Sequence, residues 1–101
     1  MAIDSRKRKV PIPMTNRSAI RADLGLAIRE LREARGLTLD KLSAKAGMHT
    51  TYLSRIERAH SSPTWEKVTA LAEALDLPVS AIATAAEAQA DKRGGKRRKR
   101  S

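Results

Sequence analysis

The spacing of apolar residues is what most limits the folds open to this chain. Between residues 18 and 90 no alternation of period two lasts more than a few residues, and apolar positions recur at intervals of three and four. That spacing lines one face of a 3.6-residue helix and argues against a half-buried sheet. Ile20, Leu24, Ile28, Leu31 and Ala34 form one stripe, which predicts a first helix from about Ser18 or Ile20 to Arg35, stopped by Gly36. Thr38 is placed to cap a second helix, with Asp40 in its first turn and Leu39, Leu42 and Ala46 inward, ending at Gly47. A third runs from His49 or Thr50 to Ala59 with Leu53 and Ile56 inward. Ser61-Ser62-Pro63 breaks the chain, and Thr64 caps a fourth helix with Trp65, Val68, Leu71, Ala72 and Leu75 inward. Leu77-Pro78 ends that helix, and a fifth opens near Val79 or Ser80 and runs to about Ala90. The expectation is a single all-α domain of five short helices.

Charge divides the chain differently from hydropathy. The net charge of +10 comes from 21 Lys and Arg against 11 Asp and Glu. Residues 1–22 carry +5, residues 87–101 carry +5, and residues 23–86 hold eight charges of each sign. Asp4 to Lys9 is nearly all charge, Pro11 and Pro13 follow it, and the run Gly94-Gly95-Lys96-Arg97-Arg98-Lys99-Arg100 offers nothing to bury. The expected organisation is a disordered basic arm over 1–17, a domain over 18–90 and a disordered basic tail over 91–101. Flexible cations release counterions from a phosphate backbone, so the arms suit a polyanion, with added solubility or nuclear import as other uses. An amphipathic apolar face beside them is missing, which speaks against a membrane surface.

Several chemistries are disfavoured by what the chain holds. Without cysteine there is no disulfide framework, thiol nucleophile or Cys-ligated zinc. His49 and His60 have no third ligand type at a metal-site spacing, so no metal is expected. No serine sits in a Gly-x-Ser-x-Gly turn. No catalytic residue and no cofactor is expected. No apolar run approaches the ~20 residues of a spanning helix, and none follows the basic start as in a secretory signal. A cytoplasmic, nucleoid-associated location is expected.

Leu39 to Arg58 places two helices on either side of Gly47, with the small Ser43 where their axes approach and Met48, Leu53 and Ile56 as packing. This is the spacing of a helix-turn-helix, whose second helix fits the ~12 Å major groove of DNA. Thr51, Ser54, Arg55 and Arg58 share its outer face, which is polar, short-chained and basic.

A longer string carries a resemblance. Leu24-Gly25, Ile28-Arg29-Glu30-Leu31-Arg32, Gly36-Leu37-Thr38, Leu42-Ser43, Ala46-Gly47-Met48, Tyr52-Leu53-Ser54-Arg55-Ile56-Glu57-Arg58, Pro63-Thr64 and Leu71-Ala72-Glu73-Ala74-Leu75 resemble the phage-repressor-like (Xre/Cro-type) helix-turn-helix family. The stretch His49 to Glu57 looks closest to restriction–modification controllers. The resemblance implies a compact five-helix, lambda-repressor-like domain that binds double-stranded operator DNA as a homodimer. It implies base contacts from Thr50, Thr51, Ser54 and Arg55, and backbone contacts from Thr38, His49, Tyr52, Arg58, Ser61, Ser62 and Thr64. It pairs Glu57 with Arg32 as a structural ion pair, and places a dimer interface on the fifth helix at Ile82, Ala85, Ala86 and Gln89. Four positions depart from the family pattern: Leu39 stands where Gln is frequent, His49 where Ser is frequent, and Ala59 and Asp76 where Gly is usual.

A short helix end and a basic tail after the domain leave no room for a ligand-sensing or self-cleaving domain, so control by the protein's own concentration or by a protein partner is expected. A transcription regulator is the first reading. An antitoxin that binds a toxin and autoregulates its operon, or a weakly specific nucleoid-type protein, are the alternatives. Contact with a toxin or with polymerase stays open as a partner.

Overall fold

The computed structural model describes residues 14–94, with side chains over 18–93. Five helices follow in order: α1 (Met14–Ala34), α2 (Leu39–Ala46), α3 (Thr50–Glu57), α4 (Trp65–Ala74) and α5 (Val79–Gly94), with no strand among the described residues. α1 starts four residues ahead of Ser18, inside the segment read as an arm, and α5 continues past Ala90 into the segment read as a tail. The rest of both expected arms, 1–13 and 95–101, lies outside the described residues.

The core gathers one face of every helix. Ala27 and Ile28 of α1, Leu42 of α2, Leu53 and Ile56 of α3, Val68, Leu71 and Ala72 of α4, the following Leu75, and Ile82 of α5 are buried. α1 packs chiefly on α5 and also on α3, while α2 packs on α3 and α4. Three stripe residues depart from the expected burial, one of them Ala34, which is exposed at the C-terminal end of α1; the other two lie in the N-terminal halves of their helices. Ile20 is 57% exposed and Trp65 is 70% exposed. Each sits one turn outside the packed layer, before the half-buried Leu24 and before Val68, which is already at the core's edge. Helical periodicity fixes the face of a residue and not how far along the helix its neighbours extend.

Helices α1 to α4 end in the same way. In each, one amide closes a short bond and the next reaches back five residues: Gly36 to Glu33 O and Leu37 to Arg32 O, Gly47 to Ala44 O and Met48 to Ser43 O, Ala59 to Ile56 O and His60 to Arg55 O, Asp76 to Glu73 O and Leu77 to Ala72 O. This motif needs a left-handed residue. Gly36 and Gly47 supply it at φ of 70° and 72°, whereas Ala59 and Asp76 adopt φ of 67° and 61° with a Cβ attached. A left-handed alanine is disfavoured by roughly 1–2 kcal/mol, and Asp tolerates the region better. Ala59→Gly should therefore raise stability by about 1 kcal/mol, or about 4–8 °C in unfolding temperature. Thermal melting checks this, and an unaltered or lower melting point would contradict it.

Candidate nucleic-acid interface

The turn between α2 and α3 is fixed by side chains as well as by Gly47. Thr38 Oγ1 accepts from the Lys41 amide at 3.1 Å and caps α2. Ser43 is 2% exposed and donates its hydroxyl proton to Asp40 O at 3.0 Å. Thr50 Oγ1 donates to Asp40 Oδ1 at 2.9 Å and lies 2.9 Å from Ser43 Oγ. The Asp40 carboxylate, expected only to favour the helix dipole, thus ties the start of α3 to α2. His49 occupies the N-cap position of α3, yet its side chain makes no capping bond and is exposed.

α3 turns Leu53 and Ile56 inward, which leaves Thr51 and Arg55 exposed and Ser54 half-buried on the outer side, followed by exposed Arg58. Of the four expected base-reading residues, these place Thr51, Ser54 and Arg55 together. Thr50 is half-buried and its hydroxyl is held by α2. Arg55 is itself restrained, because its Nε donates to Ser61 Oγ at 3.2 Å. That bond leaves the four N–H donors of its two terminal nitrogens, the end of the fork that pairs with guanine O6 and N7.

The expected backbone-contacting residues divide into two sets. Thr38, His49, Arg58, Ser62 and Thr64 are exposed. Tyr52 and Ser61 are half-buried, the first packed against the core and the second occupied by Arg55. Thr64 Oγ1 accepts from the Lys67 amide at 3.2 Å and caps α4.

Arg32 and Glu57 hold this surface from behind. Arg32 Nε donates to Glu57 Oε2 at 2.8 Å and Nη2 to Oε1 at 3.1 Å, while Nη1 donates to Leu37 O at 2.9 Å. Their side chains are 11% and 5% exposed. The hydrogen bond to Glu57 raises the Arg32 pKa further above its already high ordinary value, against the opposing pull of burial. That raised pKa lies beyond any working pH, so Arg32 stays charged throughout.

On the fifth helix the four residues expected at a dimer interface differ in burial within the protomer. Ile82 is 1% and Gln89 8% exposed inside the protomer, and α5 packs on α1. Ile82 packs into the protomer's hydrophobic core. Ala85 and Ala86 are half-buried. The tail boundary is corrected. Arg93 Nε donates to Asp23 Oδ1 at 3.3 Å and its Nη2 pairs with Oδ2, while Lys92 Nζ lies 3.8 Å from Glu30 Oε2. Two cations read as free tail charges are ion pairs between α5 and α1.

Among the described residues no group of three or more His, Asp or Glu side chains is placed to hold a metal. No single helix there is long and apolar enough to cross a membrane.

Residues 23–85 match the family model described as a helix-turn-helix domain. The chain belongs to the helix-turn-helix domain family. It is 36% identical over 63 residues to the transcriptional regulator ClgR of Mycobacterium tuberculosis, a match covering 62% of this chain and 56% of that one. It is 39% identical over 59 residues to the immunity repressor protein of Bacillus phage phi105, covering 58% of this chain and 41% of the repressor. The chain thus spans about half the length of these curated relatives. Among solved structures, the restriction–modification controller protein C.AhdI of Aeromonas hydrophila is 30% identical with a TM-score of 0.62, over 63% of this chain and 97% of that one. The family anticipated from Leu24 to Leu75, and its five-helix fold, are the ones found.

Proposed function

We propose that this helix-turn-helix protein binds double-stranded DNA with sequence preference, placing α3 in the major groove, and regulates transcription as a homodimer on a roughly palindromic operator. The observation that carries the reading is the outer face of α3. It is short-chained and polar at Thr51 and Ser54, and carries one guanidinium, Arg55, steered by Ser61. Thr51 and Ser54 let the helix approach base edges, and thymine methyls pack against a threonine methyl. Arg58, His49 and Ser62, with the amide ends at Thr38 and Thr64, suit phosphates on either side. The relatives named above are regulators and repressors by their descriptions, which supports regulation over a toxin-binding role.

Selection from random duplexes should return an inverted repeat with half-sites ~34–36 Å apart. Arg55→Ala should cost ~1–3 kcal/mol on that site and relax the preference at one position per half-site. Equal weakening on selected and scrambled duplexes would assign Arg55 to phosphate, and recovery of no repeat would overturn the reading.

A further inference from the structure

Beside the α3 surface lies a hollow of about 390 Å³ lined by Ile20, Arg21, Leu24, Ser62 and Pro63. Its one charged wall residue is Arg21. The Arg21 Nε is buried with no hydrogen-bond partner, and none of the ion pairs among the described residues includes this side chain. Arg21 thus brings to the hollow a permanent positive charge that no carboxylate among the described residues neutralises, which suits an anionic ligand. The ligand must accept hydrogen bonds and carry negative charge, while tolerating the apolar walls of Ile20, Leu24 and Pro63. A phosphodiester flanked by deoxyribose carbons has that mixture.

The position of the hollow points to the same occupant. Ser62 and Pro63 belong to the α3–α4 connection, directly after Ser61, whose hydroxyl accepts from Arg55. The outer face of α3 and the hollow are therefore joined through adjacent residues of one loop. A strand whose bases meet Arg55 would carry its backbone across Ser61 and Ser62 toward Arg21.

We propose that Arg21, with the Ser62 hydroxyl, binds a backbone phosphate of the DNA that α3 reads. The proposal rests on the DNA-binding reading and adds a contact from α1 to it. Arg21 fixes register and carries no base preference.

The test compares the full chain with Arg21→Gln and Arg21→Lys on selected and scrambled duplexes over a range of salt. For Arg21→Gln the slope of log affinity against log salt should fall by about one. At ~0.9 per phosphate, that corresponds to a loss of roughly eightfold at 0.1 M salt, equal on both duplexes. Phosphate ethylation should lose its interference at one backbone position per half-site. Arg21→Lys should keep most of the slope, and the unfolding temperature of Arg21→Gln should not fall. An unchanged slope and ethylation pattern, in a protein that still binds, would overturn the Arg21 assignment while leaving the DNA reading intact. Failure of the parent chain to bind any duplex would overturn both. Inorganic phosphate at constant ionic strength supplies the last arm. If it raises the parent's melting point and Arg21→Gln abolishes that rise without altering the salt slope, the hollow is a small-anion site and the proposal fails.

Discussion

Alanine in place of Glu57 should cost about 3 kcal/mol of folding stability, because it strands the largely covered Arg32 guanidinium without its carboxylate. For a domain of this size the melting temperature should fall by at least about 12 °C. Arg32 donates three bonds, two to the Glu57 carboxylate and one to the carbonyl oxygen of Leu37, the residue that leads into α2. Losing Glu57 therefore loosens the joint between α1, the α1–α2 turn and the C-terminus of α3 together. Arg32→Ala should act in the same direction and leave Glu57 unpaired. The double variant Arg32→Met with Glu57→Leu should recover much of the loss, since a packed apolar pair often replaces a buried ion pair at little cost. Melting curves of the four proteins check this, and an unshifted melting point in either single variant would sink it.

Gly25→Ala should be nearly as damaging, against the trend of helix propensity. An alanine inside a helix is ordinarily favoured over glycine by ~1 kcal/mol. Here the added Cβ would lie 2.5 Å from Ile56 O and 2.7 Å from Glu57 O, both backbone atoms at the end of α3. No rotamer change relieves that clash, so α1 and α3 must separate. Overpacking of this kind costs ~1–3 kcal/mol or more, and the upper end is expected where backbone meets backbone. Because α3 carries Arg55, the same variant should lose DNA affinity even where it remains folded. A melting temperature equal to or above the parent's would show that the helices do not approach so closely.

What the sequence disclosed follows from the range of each signal. Helix faces and caps are local, and Thr38, Thr64, Gly36 and Gly47 act as their positions predicted. Ala59 bears no sign of a left-handed backbone in its residue type and Asp76 only a weak one; the comparison with a family that favours Gly there marks them more clearly. Gly25 stands inside the predicted first helix, where a glycine is ordinarily unfavourable, but the residue type alone does not say what it lies against. Its partner on α3 is non-local and could not be read from that stripe. The outward turn of Trp65 and Ile20 and the inward turn of Ile82 and Gln89 depend on where neighbouring helices stop, which periodicity does not encode. The steering of Arg55 by Ser61 arises in the same way, from a loop whose path no pattern fixes.

The pairing of Asp23 with Arg93 joins positions 70 residues apart. It bears on how the chain matures during synthesis. α5, which α1 packs against most extensively, is translated after the other four helices. At ~5–20 residues per second, several seconds separate the emergence of α1 from that of α5, and loop closure over such a span is slow to be rewarded. Through that interval Ala27 and Ile28 have no α5 beside them. The nascent domain is therefore most exposed to chaperones and proteases just before α5 clears the ribosome, and α5 serves as the latch that ends that exposure.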